Sequence, residues 1–329
     1  MRRRRDNRLL PRSLDSLLPP TTEPRRGKDV PARWRADAAL AFVALIWGAT
    51  FVVVKQALLG ISTVYFLSLR FWLASVFMAL LFGRPLRRAG LKEVVRGLRG
   101  GAFAGIFLWA GYMLQTYGLK YTSAGKSGFL TGLYIALVPI IGAIAYRRWP
   151  QASEVLGILC AVIGMAVMTL PSFGSHSSLL DINKGDLLTI GCAVSFSFHL
   201  LILGYYSQRA RYEAVALGQI LCAAVLSTVS LLAEPPQASW NGQIVFALGL
   251  TSLFATALAF AFQTWGQQYT TATRTALIFA LEPVFALVTA VAVGGETLTF
   301  AAVLGGAFIL GGILLVELKP IRERRHRSS

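Results

Sequence analysis

Ten apolar runs follow one another along the chain, at roughly 37–58, 63–83, 99–118, 124–146, 153–171, 185–206, 213–233, 242–264, 273–293 and 298–317. Each is about 20 residues long, the length at which an α-helix crosses a hydrocarbon core of about 30 Å. The pattern predicts membrane-spanning helices joined by short polar loops. Few residues lie between the runs, so there is no room for a second, soluble domain.

The runs fall into two similar halves. Gln115 to Ala124 reads QTYGLKYTSA and Gln263 to Ala272 reads QTWGQQYTTA, with six of the ten positions identical at an offset of 148. The same offset relates Leu156-Gly157 and Gly164 to Leu304-Gly305 and Gly312. Asp37 opens the first run as Asp186 opens the sixth. Pro139 pairs with Pro283 at an offset of 144, which requires four extra residues in the first half, around GFLTGLY. A repeat this long is a duplicated half rather than a solenoid unit. Five spans per half is an odd number, so the second half must enter the membrane upside down. The expected fold is an all-α membrane protein of ten transmembrane helices, built as two inverted five-helix repeats at 36–171 and 184–317. A basic, disordered cytoplasmic tail precedes them at 1–35, and a short basic tail follows at 318–329. Inverted repeats in a membrane point to secondary transport.

The composition agrees: 55% of residues are hydrophobic, only 14% are charged, and the mean hydropathy is +0.59. A net charge of +17 raises nucleic acid as a partner, but its distribution excludes one. Of the 32 Lys and Arg, all but Lys55, Arg70, Lys120, Lys126 and Lys184 fall on one side if the N-terminus is cytoplasmic. That is the positive-inside bias, and it places both termini in the cytoplasm at the inner (plasma) membrane. Anionic lipid headgroups at the inner face are a further expected partner. The stretch GRPLRRAGLKEVVRGLRG is expected to lie along the inner surface as a basic amphipathic segment. No apolar h-region follows the N-terminal arginines closely, so they are not a twin-arginine signal. Cys160, Cys192 and Cys222 read as small core residues within spans.

A charge at mid-membrane costs about 2.5–3.5 kcal/mol even on the mild insertion scale, so such residues mark function or pairing. Lys55 is near enough to a span end to reach the surface. Arg70 lies close to the centre of span two, opposite Gln219 in the second half. Glu282, in LEPV, lies at the centre of span nine, and aligning the prolines sets it opposite Val138. The two charges could pair and hold the halves together. Alternatively, Arg70 offers a fork of donors to a carboxylate, and Glu282 carries a proton, which implies proton coupling. Trp109, Tyr112 and Thr116 share a helical face. With Trp47 and the Gly48, Ala49 and Thr50 that follow it, and with Tyr134, Ser195, Ser197 and His199, they could line a cavity with apolar walls and a few polar contacts. Gln115 with Thr116, and Gln263 with Thr264, sit near opposite membrane surfaces and read as gates or loop caps, not as one shared site. GxxxG pairs at Gly101/Gly105 and Gly128/Gly132 read as helix packing. No residues have metal-ligand spacing. KYTSAGKS lacks the first glycine of a phosphate-binding loop and joins two spans. No hydrolase motif is present, so neither a metal, a cofactor nor an enzyme activity is expected.

WGATF in span one, QTYGLKYTSAGKSGFLTGL across spans three and four, and LEPVFALVTAVAVGGETL into span ten resemble the EamA-type transporters of the drug/metabolite transporter superfamily. The resemblance covers about residues 37–317. It implies a central solute cavity built from the first four helices of each half, with the fifth helix peripheral. Carried over by position, it brings Trp47, Arg70, Tyr112 and Glu282 toward that cavity and gives Gly157, Gly164, Gly305 and Gly312 to packing. It implies efflux of a small metabolite or drug-like solute by alternating access. Import or exchange on the same fold, or a non-transporting membrane scaffold or lipid-handling protein, are the rival readings.

Overall fold

The apolar runs fold as helices packed side by side. The computed structural model describes residues 33–118, 120–122, 124–146, 149–169, 182–294 and 298–326. The basic tail expected at 1–35 lies outside them except for its last three residues, and so do the side chains of Lys55 and Lys126. The helices are α1 (Arg33–Ala57), α2 (Thr63–Arg88), α3 (Leu91–Gly118), α4 (Ala124–Gly132), α5 (Tyr134–Tyr146), α6 (Ala152–Thr169), α7 (Lys184–Ser207), α8 (Tyr212–Ser230), α9 (Gly242–Ser252), α10 (Ala259–Gly266), α11 (Ala272–Phe279), α12 (Glu282–Gly294) and α13 (Phe300–His326). A π-helical turn, Leu253–Leu258, joins α9 to α10. Among the described residues the one β-type pairing is an isolated bridge between Ile61 and Ala238. Among the described residues, six stretches are long and apolar enough to cross a membrane: Thr63–Arg88, Ser127–Ala145, Lys184–Ser207, Tyr212–Ser230, Gly242–Gly266 and Ala272–Thr289; Ala152–Met168 and Phe300–Val316 are shorter apolar helices.

Local chemistry sets several helix starts. The Asn183 side chain accepts from the Asp186 amide (3.0 Å) while the Asp186 carboxylate accepts from the Asn183 amide (2.9 Å), a closed capping box on α7. Asn241 caps α9 through the Ile244 amide, and Thr271 caps α11 through the Arg274 amide.

The halves interlock. Helix α3 packs along α7 and α8, α2 along α8, α1 against α10, α11 and α12, and α6 along α13. Where α3 meets α8, a Cβ on Gly105 would come within 2.6 Å of the Gln219 carbonyl oxygen, so this GxxxG pair does serve packing. In the other, Gly132 meets Met165, but Gly128 faces open space.

Two expectations need correction. GRPLRRAGLKEVVRGLRG is not one surface segment: α2 runs to Arg88 and α3 begins at Leu91, so its basic residues ride on the ends of two bundle helices. Helix α13 runs on to His326, so residues 318–326 are helical. The helix breaks also revise the repeat alignment. The helix rod of span four breaks at Leu133 and that of span nine at Ala280–Leu281, so α5 begins at Tyr134 and α12 at Glu282. These starts are 148 apart, the offset of the rest of the repeat. Tyr134, not Val138, therefore stands in the first half where Glu282 stands in the second. The four extra residues lie between the break and Pro139. Pro283 sits in the first turn of α12, where a missing N–H costs least.

Candidate functional site

A cavity of about 160 Å³ lies between the halves. Its wall takes residues from α1, α2, α3, α4, α5, α7, α10, α11 and α12, and among the described residues none from α6, α8 or α13. From the first helix the lining runs from Trp47 through Thr50 and Val54 to Leu58, just past its end, at helical spacing. On the other side of Trp47, Ala36, Leu40, Val43 and Ala44 are fully buried. The cavity therefore extends from mid-bundle toward the Leu58 end and is closed toward the Asp37 end.

The π-helical turn builds the polar core of this wall. Such turns leave a carbonyl free for partners outside the helix. The Ala259 amide bonds to the Phe254 and Thr256 carbonyls and skips Ala255. The Ala255 carbonyl instead accepts the Trp47 indole N–H (2.9 Å) and an Arg70 guanidinium N–H (3.3 Å). Arg70 Nε donates to Thr256 Oγ1 (2.6 Å), which donates onward to the Thr251 carbonyl (2.9 Å). The guanidinium lies over the Tyr112 ring at 5.3 Å. Span one and span two are thus both tied to span eight through one backbone irregularity. Gly48 permits the approach on the far side of Trp47: a Cβ there would lie 2.6 Å from the Glu282 carbonyl oxygen. The Trp47 ring then packs against Phe260 and Phe279, with centroids at 5.5 and 5.0 Å.

Glu282 also lines the cavity, and among the described residues its carboxylate has no hydrogen-bond or ion-pair partner. Arg70 and Glu282 are not paired with each other, contrary to the reading in which they clamp the halves together. His199 lies on the same wall and meets Gln219 Oε1 at 2.7 Å. The roles follow from the chain of donors. Thr264 Oγ1 donates to the Phe260 carbonyl (2.6 Å), so it accepts from Gln219 Nε2 (3.0 Å). Gln219 then presents its oxygen to His199, whose Nε2 carries the proton.

Of the residues singled out in the sequence, Trp47, Arg70, Tyr112, Tyr134, His199, Glu282, Gln115, Thr116 and Gln263 all line this cavity. Gln219 and Thr264 stand one layer behind. Trp109 does not reach the wall: α3 presents Leu108, Tyr112, Gln115 and Thr116, and Trp109 packs on the cluster around Leu67, Phe71 and Ile220. Ser195 and Ser197 turn to the Phe107 and Ala193 carbonyls. Thr50, which follows Trp47 on the first helix, lines it as expected, and Thr131, Phe196, Phe260 and Phe279 line it without having stood out in the sequence.

Gln115 and Gln263 were expected to stand apart from any shared site, yet both lie on the wall of this one cavity. Gln115 Nε2 donates to Thr131 Oγ1 (3.2 Å). Gln263 is 1% exposed, and among the described residues its amide oxygen has no partner. The rest of each repeated motif works at its own end of the bundle. In the second copy, Gln267 Nε2 donates to the Leu200 carbonyl and Gln268 Nε2 to the Ser207 carbonyl, while Gln208 Nε2 reaches the Gln267 and Thr270 carbonyls. Beside them Arg274 donates twice to Asp37, at 2.9 and 2.6 Å. In the first copy, Thr122 donates to Asp186 (2.7 Å), Tyr117 donates to Glu234, and Lys120 pairs with Glu234 at 3.6 Å.

The profile of the EamA-like transporter family matches residues 34–170 and 183–318. The chain belongs to that family. It is 32% identical to an uncharacterized transporter of Archaeoglobus fulgidus over 95% of this chain and 96% of that one. It is 26% identical to the uncharacterized transporter YetK of Bacillus subtilis, over 93% and 94% of the two chains. A protein of Salmonella typhimurium named "Probable amino-acid metabolite efflux pump" is 27% identical, over 88% and 97%. A solved structure superposes with a TM-score of 0.71 at 18% identity, over 87% of this chain and 98% of that one, which shows a shared fold. The protein is accordingly a multi-pass membrane protein of a transporter family.

Proposed function

We propose that the protein exports a small zwitterionic, amino-acid-like metabolite across the inner membrane by alternating access. Ten crossings form two inverted repeats, with both chain ends in the cytoplasm. The observation that carries this reading is that Arg70 and Glu282 face one cavity, unpaired with each other, between aromatic walls. A lone acid and a lone base in an apolar cavity are costly unless a ligand of opposite polarity joins them. A carboxylate on Arg70 and an ammonium on Glu282 would satisfy both. The name of the Salmonella relative supports the same solute class. Polar groups at this depth also count against a non-transporting scaffold, whose core would be sealed by aliphatic side chains.

Proton coupling follows from the same acid. Glu282 can be neutralised by the solute's ammonium or by a proton, and one excludes the other. Export would then be exchange of solute for protons entering down their gradient. In this reading the cavity, directed to the Leu58 end, is outward-facing. Purified protein in liposomes, offered a mixed pool of labelled amino acids and related metabolites with and without a pH gradient, tests it. Flux of zwitterions enhanced by the gradient is the expected result; no flux of any solute in either condition overturns the transport reading.

A further inference from the structure

A groove that shares no lining residue with the cavity lies at the start of α3. Lys92, Arg96 and Arg99 occupy successive turns on one face of α3, with Leu91 and Val95 alongside them. Together with Gly100 and Tyr206 of α7 they line a groove of about 520 Å³. Its floor exists because Gly100 has no side chain: a Cβ there would collide with the Tyr206 ring, which lies directly against the α3 backbone.

All three cations are exposed, and among the described residues none has an ion-pair partner. The acids nearby are otherwise engaged or turned away. Glu213 pairs with Arg211 at 3.3 Å, Asp37 is held by Arg274, and Glu93 of α3 does not line the groove. The depth is set by helix length. Helix α3 has 28 residues, about 42 Å at 1.5 Å per residue, against a hydrocarbon core of about 30 Å. Its apolar part begins at Gly100, so the basic first turns stand at headgroup level on the Asp37 side of the bundle.

We propose that this groove binds the phosphate of an anionic phospholipid, with Leu91 and Val95 against the upper acyl chain. Three unneutralised cations at interface depth, bordered by apolar side chains, fit an amphiphilic anion better than a free one. The site is independent of the transport reading, and its test does not use flux.

The experiment is native mass spectrometry on the full-length protein in detergent. Phosphatidylglycerol, phosphatidylcholine and inorganic phosphate are each offered in turn. The variants are Lys92→Gln/Arg96→Gln/Arg99→Gln and, as a control for net charge, Arg84→Gln/Arg87→Gln/Arg88→Gln at the exposed end of α2. The wild type should retain phosphatidylglycerol about tenfold or more over phosphatidylcholine. The groove variant should lose that preference and the control should keep it, with unchanged lipid-free unfolding temperatures in both. Inorganic phosphate should neither bind nor displace the lipid. Retention of phosphatidylglycerol by the groove variant, equal loss in both variants, or displacement by phosphate would overturn the proposal.

Discussion

Arg70 and Glu282 share one cavity wall without touching. Arg70 is held instead by Thr256, by the Ala255 carbonyl freed in the π-helical turn, and by the face of Tyr112. The guanidinium is fixed in direction before any solute arrives. Preorganisation of this kind matters most for a small ligand, which has few contacts with which to offset ordering costs.

Thr256→Val removes the acceptor of Arg70 Nε while keeping the shape of the side chain. A charge-assisted hydrogen bond contributes about 1.5–3 kcal/mol, so solute affinity should fall about ten- to a hundredfold. Arg70→Lys should lose at least as much, since an ammonium cannot hold both partners with one planar fork. Both are read as KM for uptake into proteoliposomes; wild-type KM in both variants would remove Arg70 from solute recognition.

Glu282→Gln should abolish the response of transport to a pH gradient while leaving solute exchange measurable. The amide keeps the hydrogen-bonding outline of the acid but cannot take up and release a proton. Counterflow of labelled solute, with and without the gradient, separates the two effects. An unchanged gradient response would take Glu282 out of the coupling.

Asp37 and Arg274 close the end of the bundle opposite the cavity mouth. Asp37→Asn should weaken that closure and raise the reactivity of a cysteine placed at Ala44, which is fully buried here. The charge-reversed pair Asp37→Arg with Arg274→Asp should restore protection. If protection is the same in all three proteins, the pair is a static contact.

Gly164 and Gly305 face each other across α6 and α13: a Cβ on Gly164 would lie 2.5 Å from the Gly305 carbonyl oxygen, and Gly305 meets Gly164 in the same way. Gly157 and Gly312 repeat the contact along the seam. Since 157 corresponds to 305 and 164 to 312, the interface is self-complementary, as expected where two copies of one element meet about a two-fold axis. Gly305→Ala should cost about 1–3 kcal/mol through overpacking and lower the unfolding temperature in detergent. Among the described residues none of α6 or α13 lines the cavity, so KM of the surviving protein should not change.

Much of the site was legible in the sequence because the membrane makes polar residues conspicuous. Arg70, Glu282, His199 and Gln263 stand out in apolar runs, and each lies on the cavity wall. Thr131, Phe196, Phe260 and Phe279 did not stand out, since threonines and aromatics are common in such runs and their direction depends on helix rotation. Trp109 shows the same point in reverse. It is close enough to Tyr112 in sequence to share a face, but α3 turns it into the cluster around Phe71.

The order of apolar runs, the internal duplication and the side-to-side charge bias came from the sequence alone, because span length, repetition and net charge are one-dimensional properties. Only the tertiary structure decided that Arg70 binds a backbone carbonyl and not Glu282, that Tyr134 stands in the place of Glu282, and that both motif glutamines share one wall. Those outcomes depend on where a helix loses or gains a residue per turn. At Leu253–Leu258 the carbonyl that the π-helical turn frees is held by Trp47 and Arg70, on helices distant in the chain.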